Sequence, residues 1–302
     1  MINTVSEINR RLKTDPAKFI AECDEEYRSK IKAVASYISD NRQIRLISIA
    51  GPSGAGKTTT ANILCEMLEK MGIDTLVVSL DDFYYSRDIV DVGKVDPESV
   101  EALNTELLHD CVEELLEKGA ARLPIYDFKS GTSHKNANPT DLKSDGILIL
   151  EGIHGLNPVI TEALPKHRLL KLYISAYTPF ENEKGEVVLT GRKLRLIRRS
   201  LRDRRFRNAD ILRTLSFWSG VVAAEDKYLY GFVRYADFHI HTMHAFEPAL
   251  YCDEFIDMIK DLDKAHPFYE YVRLIAEGLE GFISIDRSLV PENSLIREFI
   301  GS

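Results

Sequence analysis

Residues 51–58 read Gly-Pro-Ser-Gly-Ala-Gly-Lys-Thr, a complete G-x-x-x-x-G-K-[ST] loop that directly follows the apolar run 44–50. Glycines allow such a loop to curl so that successive backbone N–H groups point inward at phosphate oxygens, and a helix starting near Lys57 adds its positive end. Lys57 is expected to reach the β- and γ-phosphates, and Thr58 a Mg²⁺ ion. The expected nucleotide-binding set is Gly51, Ser53, Gly54, Ala55, Gly56, Lys57, Thr58 and Thr59. A glycine-rich turn joining strand to helix would need fewer of these residues. The full motif, with a strand pattern before it and a helix pattern over 59–71, favours a phosphate cradle.

Two further acidic points follow apolar runs. Asp81-Asp82 succeeds 75–80, where a carboxylate could take a proton from a hydroxyl attacking a γ-phosphate; the alternative is a helix cap or Asx turn. Glu151 succeeds 146–150 and resembles the acidic group that holds Mg²⁺ directly or through water in P-loop enzymes; the alternative is a surface residue before a turn. Between 192 and 207 lie nine basic residues and a single acidic one, Asp203. Leu194, Ile197, Leu201 and Phe206 punctuate them at near-helical spacing, so the segment reads as a helix with an apolar stripe and a basic face. An arginine-rich lid over a triphosphate, a solvated face and a nucleic-acid stripe are the three readings; few interleaved aromatics argue against the last. His239, His241 and His244 lack neighbouring Cys or carboxylate at ligand spacing, which favours ordinary strand histidines over a metal site.

The elements that must position these groups alternate. Apolar strand runs at 44–50, 75–80, 146–150 and 169–174 are separated by helical patterns at 57–71, about 98–118 and about 156–163. That order predicts an α/β protein with a parallel sheet, helices on both faces and ligands at the carboxyl ends of the strands. Helical spacing over 5–41, with Asp15-Pro16 as a start, gives an amino-terminal extension over 1–43. The stretch 178–192 reads as a loop or exposed hairpin, and the region 247–302 as a second, helical extension whose pattern runs to Gly281.

The 302 residues are 44% hydrophobic and 28% charged, as in ordinary soluble proteins, and no apolar run suits a membrane span. The first residues lack the apolar centre of a signal peptide, and Cys23, Cys65, Cys111 and Cys252 form no C-x-x-C pair, so a cytoplasmic location with reduced thiols is expected. A net charge of −8 argues against a nucleic-acid coat.

The P-loop, Leu80-Asp81-Asp82-Phe83-Tyr84, Pro124-Ile125-Tyr126-Asp127-Phe128, Leu150-Glu151-Gly152-Ile153 and the run Arg198-Arg199-Ser200-Leu201-Arg202-Asp203 through Phe206-Arg207 together resemble the uridine kinase and phosphoribulokinase family of P-loop kinases. Similarity is strongest to a bacterial uridine kinase-like branch that often carries a preceding TGS domain, of which nothing is visible here. It extends to Glu225-Asp226-Lys227-Tyr228 and to the closing segment from Val290 to Ser302. The resemblance implies the P-loop NTPase fold, a lid over about 192–210 in a kinase domain spanning 44–246, and the cofactors ATP and Mg²⁺. It makes Asp81 the general base, with Lys57 and Arg202 as catalytic partners. Tyr84 would line the acceptor pocket, Asp96 and Arg199 would grip ribose hydroxyls, and Tyr126 and Phe128 would flank a base. Arg202 and Arg207 would meet ATP, and Thr58 and Glu151 would serve Mg²⁺.

Three positions depart from the family pattern. Gly131 stands where uridine kinases place a base-reading histidine, Asn208 replaces the lid glycine, and Ala209 a lid arginine. The expected activity is phosphorylation of a primary hydroxyl on a uridine- or cytidine-like nucleoside. Another sugar or polyol, as in phosphoribulokinase, or a nucleotide-dependent switch acting with RNA, are the rivals. The expected partner is a small-molecule acceptor, without membrane or nucleic acid, and a homodimer is the expectation from the frequency of homo-oligomers among soluble enzymes.

Overall fold

The computed structural model of the protein describes residues 2–89, 95, 96, 98–127, 130–164 and 168–301. Phe128 therefore lies outside the described residues.

Two helices, α1 (Val5–Thr14) and α2 (Pro16–Asp40), open the chain. Asp15 divides them: its carboxylate accepts the Lys18 N–H at 3.0 Å, and Pro16 occupies the first helical position. Then come β1 (Leu46–Ala50), α3 (Lys57–Lys70) and β2 (Thr75–Ser79), close to the ranges expected. Helix α4 (Thr105–Lys118) starts later than the expected 98. Val100–Ala102 forms a separate 3-10 turn, and the Asn104 side chain accepts the Leu107 N–H at 3.1 Å to cap α4. An antiparallel hairpin of β3 (Ala120–Asp127) and β4 (Thr132–Asp141), unforeseen in the sequence, follows. Most of β4 is exposed, so it carries no alternation of apolar and polar residues to mark it as a strand.

The chain continues through β5 (Ile147–Glu151), the short α5 (Pro158–Thr161) and β6 (Leu169–Ser175). A small hairpin, β7 (Phe180–Glu181) and β8 (Val187–Leu189), fills the polar stretch before the basic helix α6 (Gly191–Phe206). Helix α7 (Ile211–Tyr228) and β9 (Phe238–His241) complete the central part, and α8 (Glu247–Ile259), α9 (Tyr269–Leu279) and the single turn α10 (Arg297–Ile300) follow.

β1, β2, β5, β6 and β9 form one parallel sheet in the order β2-β5-β1-β6-β9, the α/β architecture expected. Every residue of β1 and β5 is buried, as a sheet covered on both faces requires. Alternate residues serve two separate cores. Ile47, Ile49, Ile147, Ile149 and Leu172 pack with apolar residues of α1, α2, α3, α6, α8 and α9. Leu46, Leu148, Leu150 and Val78 face the other way, onto Leu108, Val112 and Leu115 of α4 and Leu123 of the hairpin. The terminal helices are thus structural: Ile20, Ile31, Phe255 and Phe299 share a cluster with the central strands. Among the described residues, no helix is long and apolar enough to cross a membrane.

Candidate active site

The strand order brings the three acidic and phosphate-binding features together. β5 lies between β1 and β2, with Glu151 in register with Ile49 on one side and Ser79 on the other. The P-loop leaves the end of β1, and Asp81 sits in a 3-10 turn (Leu80–Phe83) immediately beyond β2. Thr58, in the first turn of α3, reaches across to Glu151: its hydroxyl donates to Oε1 at 3.3 Å, and the Ser79 hydroxyl donates to the same oxygen at 3.5 Å. A hydroxyl and a buried carboxylate side by side are hard oxygen donors. They fit Mg²⁺, which takes one or two protein groups and completes its shell with waters and phosphate oxygens.

The loop itself requires its glycines. Gly54 and Gly56 adopt φ of 73° and 82°, the left-handed region, and a β-carbon at Gly51 would fall 2.3 Å from the Ile174 carbonyl oxygen. Three consecutive carbonyls are tied from outside the loop. Arg195 Nη1 donates to the Ser53 oxygen at 2.8 Å, Arg198 Nη1 to that of Gly54 at 3.1 Å, and the Thr242 hydroxyl to that of Ala55 at 2.7 Å. Holding the Ser53 and Ala55 carbonyls outward turns the N–H groups of Gly54 and Gly56 the other way, toward the phosphate position, while the Ala55 N–H closes a turn within the loop by donating to the Pro52 carbonyl at 3.2 Å.

The two arginines that do this are buried ion pairs. Arg195 meets Glu225 through two bonds of 2.7 and 2.8 Å, and Arg198 meets Glu247 through two of 2.6 and 2.7 Å. Glu225 also accepts the Ser53 N–H at 2.9 Å. The basic run is therefore not one continuous solvent face. Arg195 and Arg198 point into the protein, because α6 presses one side against the P-loop and the core while charge pairing satisfies what it buries. Nothing in the spacing of the run alone separated these two from their neighbours; the signal was the pair of distant glutamates.

Three of the remaining arginines gather around Asp203. Arg199 Nη1 donates to the Ser53 hydroxyl at 2.8 Å. Arg199, Arg202 and Arg207 all converge on Asp203, at 3.3, 3.2 and 3.3 Å. Burial pulls the guanidinium pKa of Arg199 and Arg207 down, and repulsion from Arg202 adds to it. Lys57 turns its amine back to the Pro52 carbonyl at 3.4 Å.

Asp81 is the titratable group whose setting suits proton transfer. Burial, and then the negative charge of Glu151, push its carboxyl up to about 6, against a lowering influence from Lys57. Its neighbour Asp82 has a different task, accepting the Tyr126 N–H at 3.2 Å and so joining the turn to the β3–β4 hairpin. Tyr84 and Tyr126 face each other with ring centroids 5.8 Å apart. Asp96 lies apart from Arg199's contacts and is held by the Tyr228 hydroxyl at 2.8 Å and by Lys227 at 3.7 Å. Gly131, at the hairpin turn, has φ of 71° and is overlain by Arg87, whose Cδ would stand 2.4 Å from a β-carbon there. The histidines have structural partners: His241 Nε2 meets the Thr178 hydroxyl at 2.8 Å, and His244 Nε2 lies 2.9 Å from Asp24 Oδ1.

Known proteins resemble this chain in sequence and in fold. The chain is 32% identical to the uridine kinase of Clostridium novyi (strain NT), over 59% of its own length and 76% of that protein. It is 28% identical to uridine kinase-like protein 5 of Arabidopsis thaliana, over 68% of its length but 41% of the plant protein. In three dimensions a possible uridine kinase from Bacillus stearothermophilus, 20% identical, superimposes with a TM-score of 0.50 over 71% of this chain and 99% of that one, a likeness of fold. The family model for phosphoribulokinase and uridine kinase matches residues 46–247, a span that holds the P-loop, Asp81, Glu151 and the arginines of α6, and the chain belongs to the phosphoribulokinase / uridine kinase family.

Proposed function

We propose that the protein is an ATP- and Mg²⁺-dependent kinase that transfers the γ-phosphoryl group to a primary hydroxyl of a nucleoside of the uridine or cytidine kind. The observation that carries the reading is Asp81: a carboxyl near pKa 6, at the carboxyl end of the same sheet as the P-loop, beside Glu151 and Lys57. In this scheme the acceptor hydroxyl gives its proton to the Asp81 carboxylate as its oxygen bonds to the γ-phosphorus. The bond from phosphorus to the β,γ-bridging oxygen breaks and ADP leaves. P-loop N–H groups and Lys57 hold the phosphates, and Thr58 and Glu151 would hold Mg²⁺, which would supply neutralisation of the phosphate charge. Arg202 and Arg207, at the carboxyl end of α6, meet the triphosphate, while the part of the helix that carries Arg195 and Arg198 anchors the loop. Tyr84 and Tyr126 line the acceptor pocket, and Asp96 and Arg199 grip its hydroxyls.

A second reading, a sugar phosphate as acceptor, gains support from Arg87, whose side chain covers Gly131 and brings a cation to the hairpin turn. ADP release with ATP and Mg²⁺ across nucleosides, sugars, sugar phosphates and RNA tests both, with Asp81→Asn in parallel. Turnover with uridine or cytidine that falls about 10² to 10⁴-fold in the variant is the expected result. Turnover with sugar phosphates alone would move the assignment to the second reading, and turnover with no small acceptor would refute both.

A further inference from the structure

The segment 290–301 has no part in the scheme above, yet it lies on the nucleotide loop. Leu295 is fully buried against Gly56, where a β-carbon would come within 2.7 Å of its Cδ1. Ser294 fixes the segment to α2, its hydroxyl donating to Asp24 Oδ1 at 2.7 Å, the oxygen that also meets His244. Arg205 Nη1 reaches the Phe299 carbonyl at 3.4 Å. From this platform Glu298 extends to the first turn of α3. Its Oε2 accepts the hydroxyl hydrogen bond of Thr59, and its Oε1 lies 3.9 Å from Arg202 Nη1.

Thr59 and Arg202 belong to the groups assigned above to the nucleotide. A hydroxyl at a helix amino terminus together with a guanidinium is a setting for a phosphate oxygen, and here a carboxylate holds it. A triphosphate brought to the same two partners meets the negative charge of Glu298 at close range, in a site partly screened from water.

We propose that Glu298 is a latch on the nucleotide site: its carboxylate holds Thr59 and Arg202 in the nucleotide-free protein and leaves both when a nucleoside triphosphate binds. Binding at the P-loop thereby loosens the 290–301 segment. The proposal rests on the nucleotide-binding part of the function proposed above. It makes ATP affinity depend on the state of a segment about 240 residues away in sequence, since Glu298 and Thr59 are 239 apart.

The test measures MgATP binding by calorimetry for the wild type, Glu298→Gln and Lys57→Ala, and follows hydrogen exchange over 290–301 in the wild type with and without nucleotide. The latch requires Glu298→Gln to bind ATP more tightly, on the order of tenfold, the scale of one charge-assisted hydrogen bond. It also requires exchange in the segment to rise when ATP is added. Equal or weaker binding by Glu298→Gln, or a segment more protected with ATP, overturns it. If the wild type binds ATP, Lys57→Ala does not and Glu298→Gln gains nothing, the latch alone falls. If neither the wild type nor Glu298→Gln binds ATP, the nucleotide reading falls and takes the latch with it. Should Glu298→Gln fail to fold, the exchange measurement on the wild type decides.

Discussion

Removing Arg195 separates what holds the protein together from what shapes its phosphate cradle. Its side chain is 2% exposed and that of Glu225 is 0% exposed, and the two are joined by parallel bonds of 2.7 and 2.8 Å. Arg195→Met leaves the Glu225 carboxylate desolvated, with the Ser53 N–H as its remaining partner from this group. Breaking a buried pair from one side costs about 3 to 5 kcal/mol, a large part of the roughly 5 to 15 kcal/mol by which domains are stable. Glu225→Met should cost a similar amount by stranding the guanidinium. The double variant strands neither charge, so its loss should be about 0 to 2 kcal/mol, well below the sum of the singles. Stability would return while function does not, because the Ser53 carbonyl and N–H both lose their tethers. ATP affinity of the double variant should fall about tenfold or more. Urea denaturation of the four proteins gives the cycle, and calorimetry on the wild type and double variant gives the affinity. Single variants that lose less than about 1 kcal/mol would refute the claim of a desolvated pair. A double variant that binds ATP like the wild type would refute the claim that these tethers preorganise the loop.

Three further outcomes follow from the site. Asp81 must be ionised to accept a proton, so kcat/KM should fall as pH drops through about 6. The folded protein holds this proton more tightly than the unfolded chain, so the stabilising contribution of Asp81 is complete below about pH 4 and is lost as pH rises through about 6. Asp81→Asn should accordingly be about 1 to 3 kcal/mol more stable than the wild type at pH 8 and gain little at pH 4, while losing turnover; equal differences in urea denaturation at the two pH values would contradict this. Gly56→Ala should abolish measurable ATP binding, because φ of 82° and the Leu295 methyl both oppose a β-carbon there, and retention of wild-type affinity would disprove the tight fit.

The sequence displayed the phosphate loop and the strand ends clearly, because apolar runs and a gapless motif are local signals. It could not show which arginines of α6 turn inward. Arg195 and Arg202 are the same residue type at seven positions' separation, and their fates differ because α7 brings Glu225 up to Arg195, as α8 brings Glu247 up to Arg198. The β3–β4 hairpin was hidden for the opposite reason: β4 has too little buried surface to impose a pattern. Glu298 at the loop is a contact across 239 residues of sequence, and nothing near it in sequence announces its partner.

The central sheet also acts as a partition. The nucleotide loop, α6 and both ends of the chain are knitted into the core on one face, whereas Tyr84, α4 and the hairpin belong to a smaller core on the other. In the proposed scheme, changes to Tyr84 or to the hairpin would alter the acceptor side without passing through the core that holds the phosphate-binding loop. The two halves are in this sense mechanically separable: a substitution that loosens the smaller core need not reach the one that ties both ends of the chain to the phosphate-binding loop.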